Sequence, residues 1–162
     1  MTCRQFTYVL PEDTTMKHDE EILNSLNMLL AICCDLAIDY QFASKYATEQ
    51  IHRKTFGDYA HERQIFIREL INMIVSMGGD PSDVPLKKRR MTANHRMQTL
   101  LSQQSFMDML GAYVEKEKDA KSWYDHLLSN GISKSKSNVL TRQSQMITST
   151  VRYLRSLEIA YH

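Results

Sequence analysis

The chain has 162 residues, of which 43% are hydrophobic and 24% charged, and its formal net charge is +1 at pH 7. This length suffices for one domain whose core needs no disulfide, and the near-neutral charge excludes a strong overall attraction to nucleic acid or to an acidic membrane surface. The five Gly and three Pro residues are too few for many short strands, so the composition favours a few long helices.

The first 17 residues mix turn formers with a short apolar group and are predicted to be a lead-in to the main domain, residues 18–162. They contain no basic segment followed by an apolar run and a small-residue cleavage site. We also find no stretch that approaches the roughly 20 consecutive apolar residues needed to span a bilayer. We therefore expect a cytoplasmic protein that does not bind a membrane.

The first predicted long helix covers residues 19–46, where apolar residues recur every three or four positions and form one stripe. Two neighbours on it, Cys33 and Cys34, point about 100° apart on a helix, so they are poorly placed to form a disulfide or to bind zinc together. We expect reduced thiols. A redox role would need a nearby cation to lower a thiol pKa, and no cation is adjacent in the sequence.

The second predicted helix begins between residues 48 and 55 and ends at Gly78, because glycine after the last apolar residue is a stop signal that Pro81 reinforces. The connection to the first helix is short, which makes the two helices antiparallel neighbours. Arg63, Arg68 and Glu69 are predicted to lie partly outside the apolar stripe. That inner stripe is predicted to comprise Tyr59, Phe66, Leu70, Met73, Ile74 and Met77.

Residues 78–103 differ from both neighbouring segments because they contain two glycines, two prolines and a basic run from Lys87 to Arg90. We predict a loop followed by a short helix at residues 91–101. No aromatic residue interleaves with the basic run and no nucleic-acid-binding motif surrounds it. The basic run is therefore interpreted as a solvated loop, and no nucleic-acid partner is expected.

Two further long helices are predicted at residues 104–128 and 137–161, separated by a short turn that contains Gly131. They form a second antiparallel hairpin. Two hairpins joined by one long connection predict an all-α, ferritin-like four-helix bundle in which the second and third long helices run parallel. A simple up-down-up-down bundle would need only a few residues in that connection.

Several sequence segments also resemble a known family: ICCD at 32–35 within residues 26–40, YAHERQ at 59–64, MGGDP at 77–81, and EKDA at 117–120 followed by Trp123 and Tyr124. In these segments the chain resembles an uncharacterised bacterial family of ferritin-like proteins, a domain of unknown function. The resemblance covers about residues 20–160. It implies a four-helix bundle related in shape to ferritins and rubrerythrins, and it implies no particular activity.

A di-iron bundle would need one Glu from each of two helices and a Glu-x-x-His pair from each of the other two. On the second predicted helix, Asp58 and His61 have the required spacing, with a shorter carboxylate. On the first predicted helix, Asp35 or Asp39 lies at a comparable height. These residues supply half of a metal site.

The second hairpin does not complete this site. Glu115 and Glu117 lie on the third long helix, but the matching part of the fourth, residues 148–152, reads TSTVR and holds no carboxylate or histidine. Asp58 and His61 are therefore interpreted first as a polar pair near a helix N-terminus, where the helix dipole favours the Asp.

Two hypotheses follow. The preferred one is a non-catalytic ferritin-like bundle without a cofactor, which acts by binding protein or by homodimerisation through aromatic residues left at the bundle edge. The alternative is a metal-binding or oxidoreductase bundle that holds iron or manganese. Its candidate ligands are Asp35, Asp39, Asp58, His61, Glu115 and Glu117. No sequence motif supports nucleophilic hydrolysis or nucleotide chemistry.

Overall fold

The computed structural model describes residues 12–81 and 106–161. Within these two ranges the chain forms four α-helices and no strand, which confirms the all-α prediction. The helices are α1 (Glu12–Tyr46), α2 (Gln50–Ser76), α3 (Phe106–Ser129) and α4 (Lys134–Ala160). The predicted short helix at 91–101 and the basic run from Lys87 to Arg90 lie outside the described residues.

The helix ends agree with the stop signals in the sequence. Gly78 has φ 78° directly after α2, a left-handed conformation that favours glycine. The N–H of Gly79 then donates to the carbonyl oxygen of Ile74 at 2.9 Å, which satisfies one of the last helix carbonyls. The start of α1 differs from the prediction. The helix begins at Glu12 and not at residue 19, so it includes the last residues of the predicted lead-in.

The four helices form a ring in the order α1, α2, α4, α3, with α1 diagonally opposite α4. Leu23, near the start of α1, lies beside Gly79, just after the end of α2. Cys33 on α1 meets Tyr124 in the second half of α3. Both α2 and α3 therefore run antiparallel to α1 and parallel to each other.

The core of the bundle is lined along α1 by buried side chains at spacings of three and four. They are Ile22, Leu26, Leu29, Leu30, Cys33, Leu36, Tyr40 and Ala43. By length and composition alone this helix could cross a membrane, since an 18-residue window within Thr14–Tyr46 has a mean hydropathy of 1.6. The bundle buries 56% of that window, so packing against the other helices accounts for its apolar character. The expectation of no membrane contact stays a prediction.

Among neighbouring helices in the ring, α2 and α4 approach each other least closely, and long polar and aromatic side chains cross the gap between them. One such group, the His52 cluster, joins the start of α2 to the end of α4. His52 is buried, its Nδ1 lies 3.1 Å from the Tyr153 hydroxyl, and its Nε2 lies 2.9 Å from the Tyr161 hydroxyl. Tyr161 also donates a hydrogen bond to Glu49, in the turn that precedes α2.

Candidate functional site

Arg63 is the largest fully buried side chain among the described residues. It lies on α2 between Ala60 and Phe66, both buried, at the three-residue spacing of the inner stripe. Its Nη2 donates to Oε1 of Glu117 on α3 at 2.6 Å, and both side chains are 0% exposed. The prediction that Arg63 lies partly outside the stripe was therefore wrong.

Each helix contributes one side chain to this level of the bundle, which we call the central layer: Tyr40 from α1, Arg63 from α2, Glu117 from α3 and Thr150 from α4. The Tyr40 hydroxyl donates to Glu117 Oε1 at 2.5 Å. Arg63 Nη2 also donates to Thr150 Oγ1 at 3.2 Å. One guanidinium and one carboxylate thus link all four helices.

The guanidinium is held by aromatic rings as well as by the carboxylate. The Cζ atom of Arg63 lies 4.9 Å from the ring centre of Phe66 and 5.7 Å from that of Tyr40, within the range of a cation–π contact. Its Nη1 donates to Glu62, whose side chain reaches towards the surface. The positive charge is therefore compensated on several sides.

Burial and charge act against each other on these groups. Burial raises the pKa of Glu117, and the neighbouring Arg63 and the hydrogen bond from Tyr40 offset part of that rise. Burial alone would lower the pKa of Arg63, but attraction to Glu117 outweighs it and the net shift is upward. Burial and the negative Glu117 both raise the pKa of Tyr40. Tyr40 therefore stays a hydrogen-bond donor to a carboxylate that is paired with a permanent cation.

The central layer does not use all of its hydrogen-bonding capacity. Glu117 Oε2 and Arg63 Nε are buried and have no hydrogen-bond partner among the described residues. Both strong contacts to the carboxylate go to Oε1. Buried polar atoms without partners cost stability, so the pair must be held in place by the surrounding packing.

A second polar network starts in the core and reaches the surface through the α2–α4 interface. Cys33 Sγ lies 3.9 Å from the Tyr124 hydroxyl, which donates to Gln143 Oε1 at 2.6 Å. Gln143 Nε2 donates to Glu69 Oε2 at 2.6 Å, and Arg142 donates to Glu69 Oε1 at 2.5 Å. The chain of contacts therefore ends in a partly exposed ion pair.

Cys33 has a nearby cation that its sequence neighbours do not reveal. Burial raises the pKa of the Cys33 thiol to about 12, and the positive charge of Arg63 offsets only part of that rise. Cys33 and Cys34 are both reduced thiols, the first buried and the second half-buried. A protonated buried thiol is a poor nucleophile, so the burial of Cys33 does not favour a redox role for it.

The two inward-facing metal candidates, Asp39 and Glu117, are already paired with cations. Asp39 is buried, and its carboxylate accepts a hydrogen bond from the ammonium of Lys116 on α3. The Tyr113 hydroxyl donates to the Asp39 carbonyl oxygen at 2.9 Å. Both carboxylates therefore serve as contacts between helices.

The other four candidates lie away from the central layer. Asp58 is exposed and accepts a hydrogen bond from Lys54 at 2.7 Å, while Glu115 is exposed and pairs with Lys118 at 2.7 Å. His61 is exposed and Asp35 is half-buried. Within residues 12–81 and 106–161, no group of three His, Cys, Asp or Glu side chains is placed to share a metal ion.

Neither the protein-family models nor the curated proteins compared with this chain match it. Function is therefore inferred from the arrangement of the side chains.

Proposed function

We propose that this chain is a non-catalytic, ferritin-like helical bundle that acts in the cytoplasm by associating with a second copy of itself. In this proposal it needs no cofactor and binds neither nucleic acid nor a membrane. The ferritin-like assignment is supported by two antiparallel hairpins, with α2 and α3 parallel and separated by a long connection. The observation that carries the proposal is the ion pair between Arg63 and Glu117.

In carboxylate-bridged metal bundles, inward-facing acids from several helices converge on metal cations. In this chain the corresponding cation is a guanidinium, which belongs to the protein and does not lose its proton. Arg63 engages the one carboxylate of the central layer, and its charge opposes the entry of a second cation. The layer is therefore suited to holding four helices in one register.

Self-association is supported by large apolar side chains that this fold leaves exposed. Met16 is 73% exposed, Val75 57%, Ile51 61% and Ile159 78%. Where exposed apolar side chains adjoin one another, they favour contact with another protein. Closed dimers are the commonest assemblies of soluble chains.

Two measurements on protein purified without a His tag test the proposal. Elemental analysis should find iron, manganese and zinc far below one atom per chain, and light scattering at tens of micromolar should give the mass of a dimer. Stoichiometric metal that is lost in His61→Ala or Glu117→Gln would replace the proposal with the metal-binding alternative. A strict monomer would overturn the association part.

A further inference from the structure

The start of α1 extends beyond the body of the bundle. Its first fully packed side chain is Ile22, and residues 14–17 and 19–21 are exposed. The six residues before His18, which is the first to line a contact with α3, add about 9 Å of helix at 1.5 Å per residue. We call residues 12–21 the α1 extension.

The α1 extension is acidic and carries one large apolar side chain. Its sequence holds five acidic residues against one lysine, a formal charge of −4. Asp19 and Glu20 are exposed, and Met16 is 73% exposed. An amphipathic surface of this kind on a projecting helix favours a partner that offers both cations and an apolar contact.

A groove with those properties lies at the same end of the bundle, between the last turns of α2 and the first turns of α4. It has a volume of about 460 Å³, the size of sites that bind several side chains or a small ligand. Val139, which is half-buried, supplies most of the apolar surface, since Met73 also lines the groove but is only 6% exposed. Ser76 and Ser135 supply hydroxyls, and Lys136 supplies a cation.

The charge around the groove complements the α1 extension. Helix α4 contains five Lys or Arg residues and one acid, Glu158, near its other end. It begins with Lys134, has no acidic residue in its first turn and no side-chain cap, so its positive dipole end is uncompensated. Glu69, the acid that lines the groove, is already paired with Arg142.

We propose that the α1 extension of one copy packs into the α2–α4 groove of a second copy, and that the second copy does the same in return. This inference rests on the self-association proposed above and names its surface. The extension and the groove lie at the same end of the bundle, so a twofold axis between two bundles placed end to end satisfies both contacts at once. Such an interface closes on itself and stops at a dimer.

In this dimer Met16 contacts Val139, while Asp19 and Glu20 lie near Lys134 and Lys136. A flexible thioether suits a groove of irregular shape. The exposed acids add electrostatic complementarity, which makes the dimer sensitive to salt.

Charge reversal with rescue tests this interface by sedimentation equilibrium. Lys134→Glu/Lys136→Glu and Asp19→Lys/Glu20→Lys should each raise the dimer dissociation constant about tenfold or more. Combining the two sets should restore most of the affinity. The matched control is Arg152→Glu/Arg155→Glu, the same charge change on exposed positions near the other end of α4, which should change the constant by less than about twofold.

A cross-link locates the contact directly. Met16→Cys/Val139→Cys should form a disulfide-linked dimer under mild oxidation, and Met16→Cys alone should form far less.

If the wild-type chain is a dimer but neither charge reversal changes its dissociation constant, this interface is wrong and self-association stands. If the wild-type chain is a monomer at tens of micromolar, both proposals fall together.

Discussion

Arg63 and Glu117 are both fully buried, and their side chains meet at 2.6 Å although 54 positions separate them in the sequence. They lie on α2 and α3, which occupy diagonal corners of the bundle. A buried pair of this kind adds little net stability, because desolvation offsets the attraction, but loss of one partner leaves the other charge buried and uncompensated. The pair therefore acts mainly to fix how the two hairpins fit together.

Replacing one member of the pair should be worse than replacing both. We expect Arg63→Met to lower the free energy of unfolding by about 3–5 kcal/mol, because Glu117 is left buried without its cation. Arg63→Met/Glu117→Leu should recover most of that loss. Urea unfolding of Arg63→Met, Glu117→Leu and the double variant gives the coupling energy between the two side chains.

The control for that series is Arg68→Met, on the exposed side of the same helix, where we expect a change within about 0.5 kcal/mol. Equal losses in Arg63→Met and in the double variant would show that the pair contributes through packing and not through charge.

Alkaline pH should destabilise the fold through Cys33. Its pKa rises from 9.0 to about 12 on folding, because burial disfavours the thiolate. Because the pKa is higher in the folded state, the stability that depends on the protonated thiol is fully present below pH 9 and is lost between pH 9 and about 12. Within that window the free energy of unfolding should fall by up to about 1.4 kcal/mol per pH unit for this one proton.

Cys33→Ala should make that decline shallower when both proteins are unfolded in urea at pH 8 and at pH 10.5. Part of the decline should persist, because burial also raises the pKa of Tyr59 to about 12. Identical slopes in the two proteins would mean that the thiol does not titrate in this window.

Two glycine substitutions should have opposite signs. In Gly79→Ala the new Cβ would lie 2.7 Å from Leu23 Cδ2 and 2.9 Å from Ile74 Cγ2, so these side chains or the adjoining backbone must shift and stability should fall. In Gly57→Ala, within α2, the nearest atom is 4.0 Å away, and we expect about 0.5–1 kcal/mol of stabilisation. Thermal unfolding followed by circular dichroism compares them, and a stabilised Gly79→Ala would contradict the close approach of α1.

The His52 cluster should hold the end of α4 against the start of α2. His52→Ala leaves the hydroxyl of Tyr153 without its contact and removes a ring next to Tyr161, so we expect a loss of about 1–3 kcal/mol. Hydrogen exchange should speed up in the last turns of α4. His61→Ala, at an exposed position nine residues along α2, is the matched control and should leave that exchange unchanged.

The sequence was sufficient to predict the four long helices, because their apolar residues recur every three or four positions and glycines mark two of the ends. The identity of the central layer was missed for a physical reason. Arginine is rarely buried without a partner, so composition alone predicts that Arg63 lies partly outside the stripe, although the spacing from Phe56 and Ala60 to Phe66 puts it on the buried stripe.

The same spacing on α3 puts Glu117 between Tyr113 and Ala120, all buried. Two opposite charges on two inner stripes are a signal that could have indicated the pair. Their contact could not be predicted, because the rotation of each helix about its axis is set by packing between hairpins. For the same reason, Asp58 and His61 could be placed on one helix but not assigned to its exposed side.

The wide separation between α2 and α4 also bears on the order of folding. Its bridges join residues far apart in the sequence, with 87 positions between Arg63 and Thr150 and 101 between His52 and Tyr153. Contacts within each hairpin close much shorter loops, so they carry a smaller entropic cost and are expected to form first. The polar bridges must then lose their water in the final step, when two preformed hairpins dock. The rate-limiting barrier is therefore expected at docking, and substitutions at the bridges should change the unfolding rate more than the folding rate.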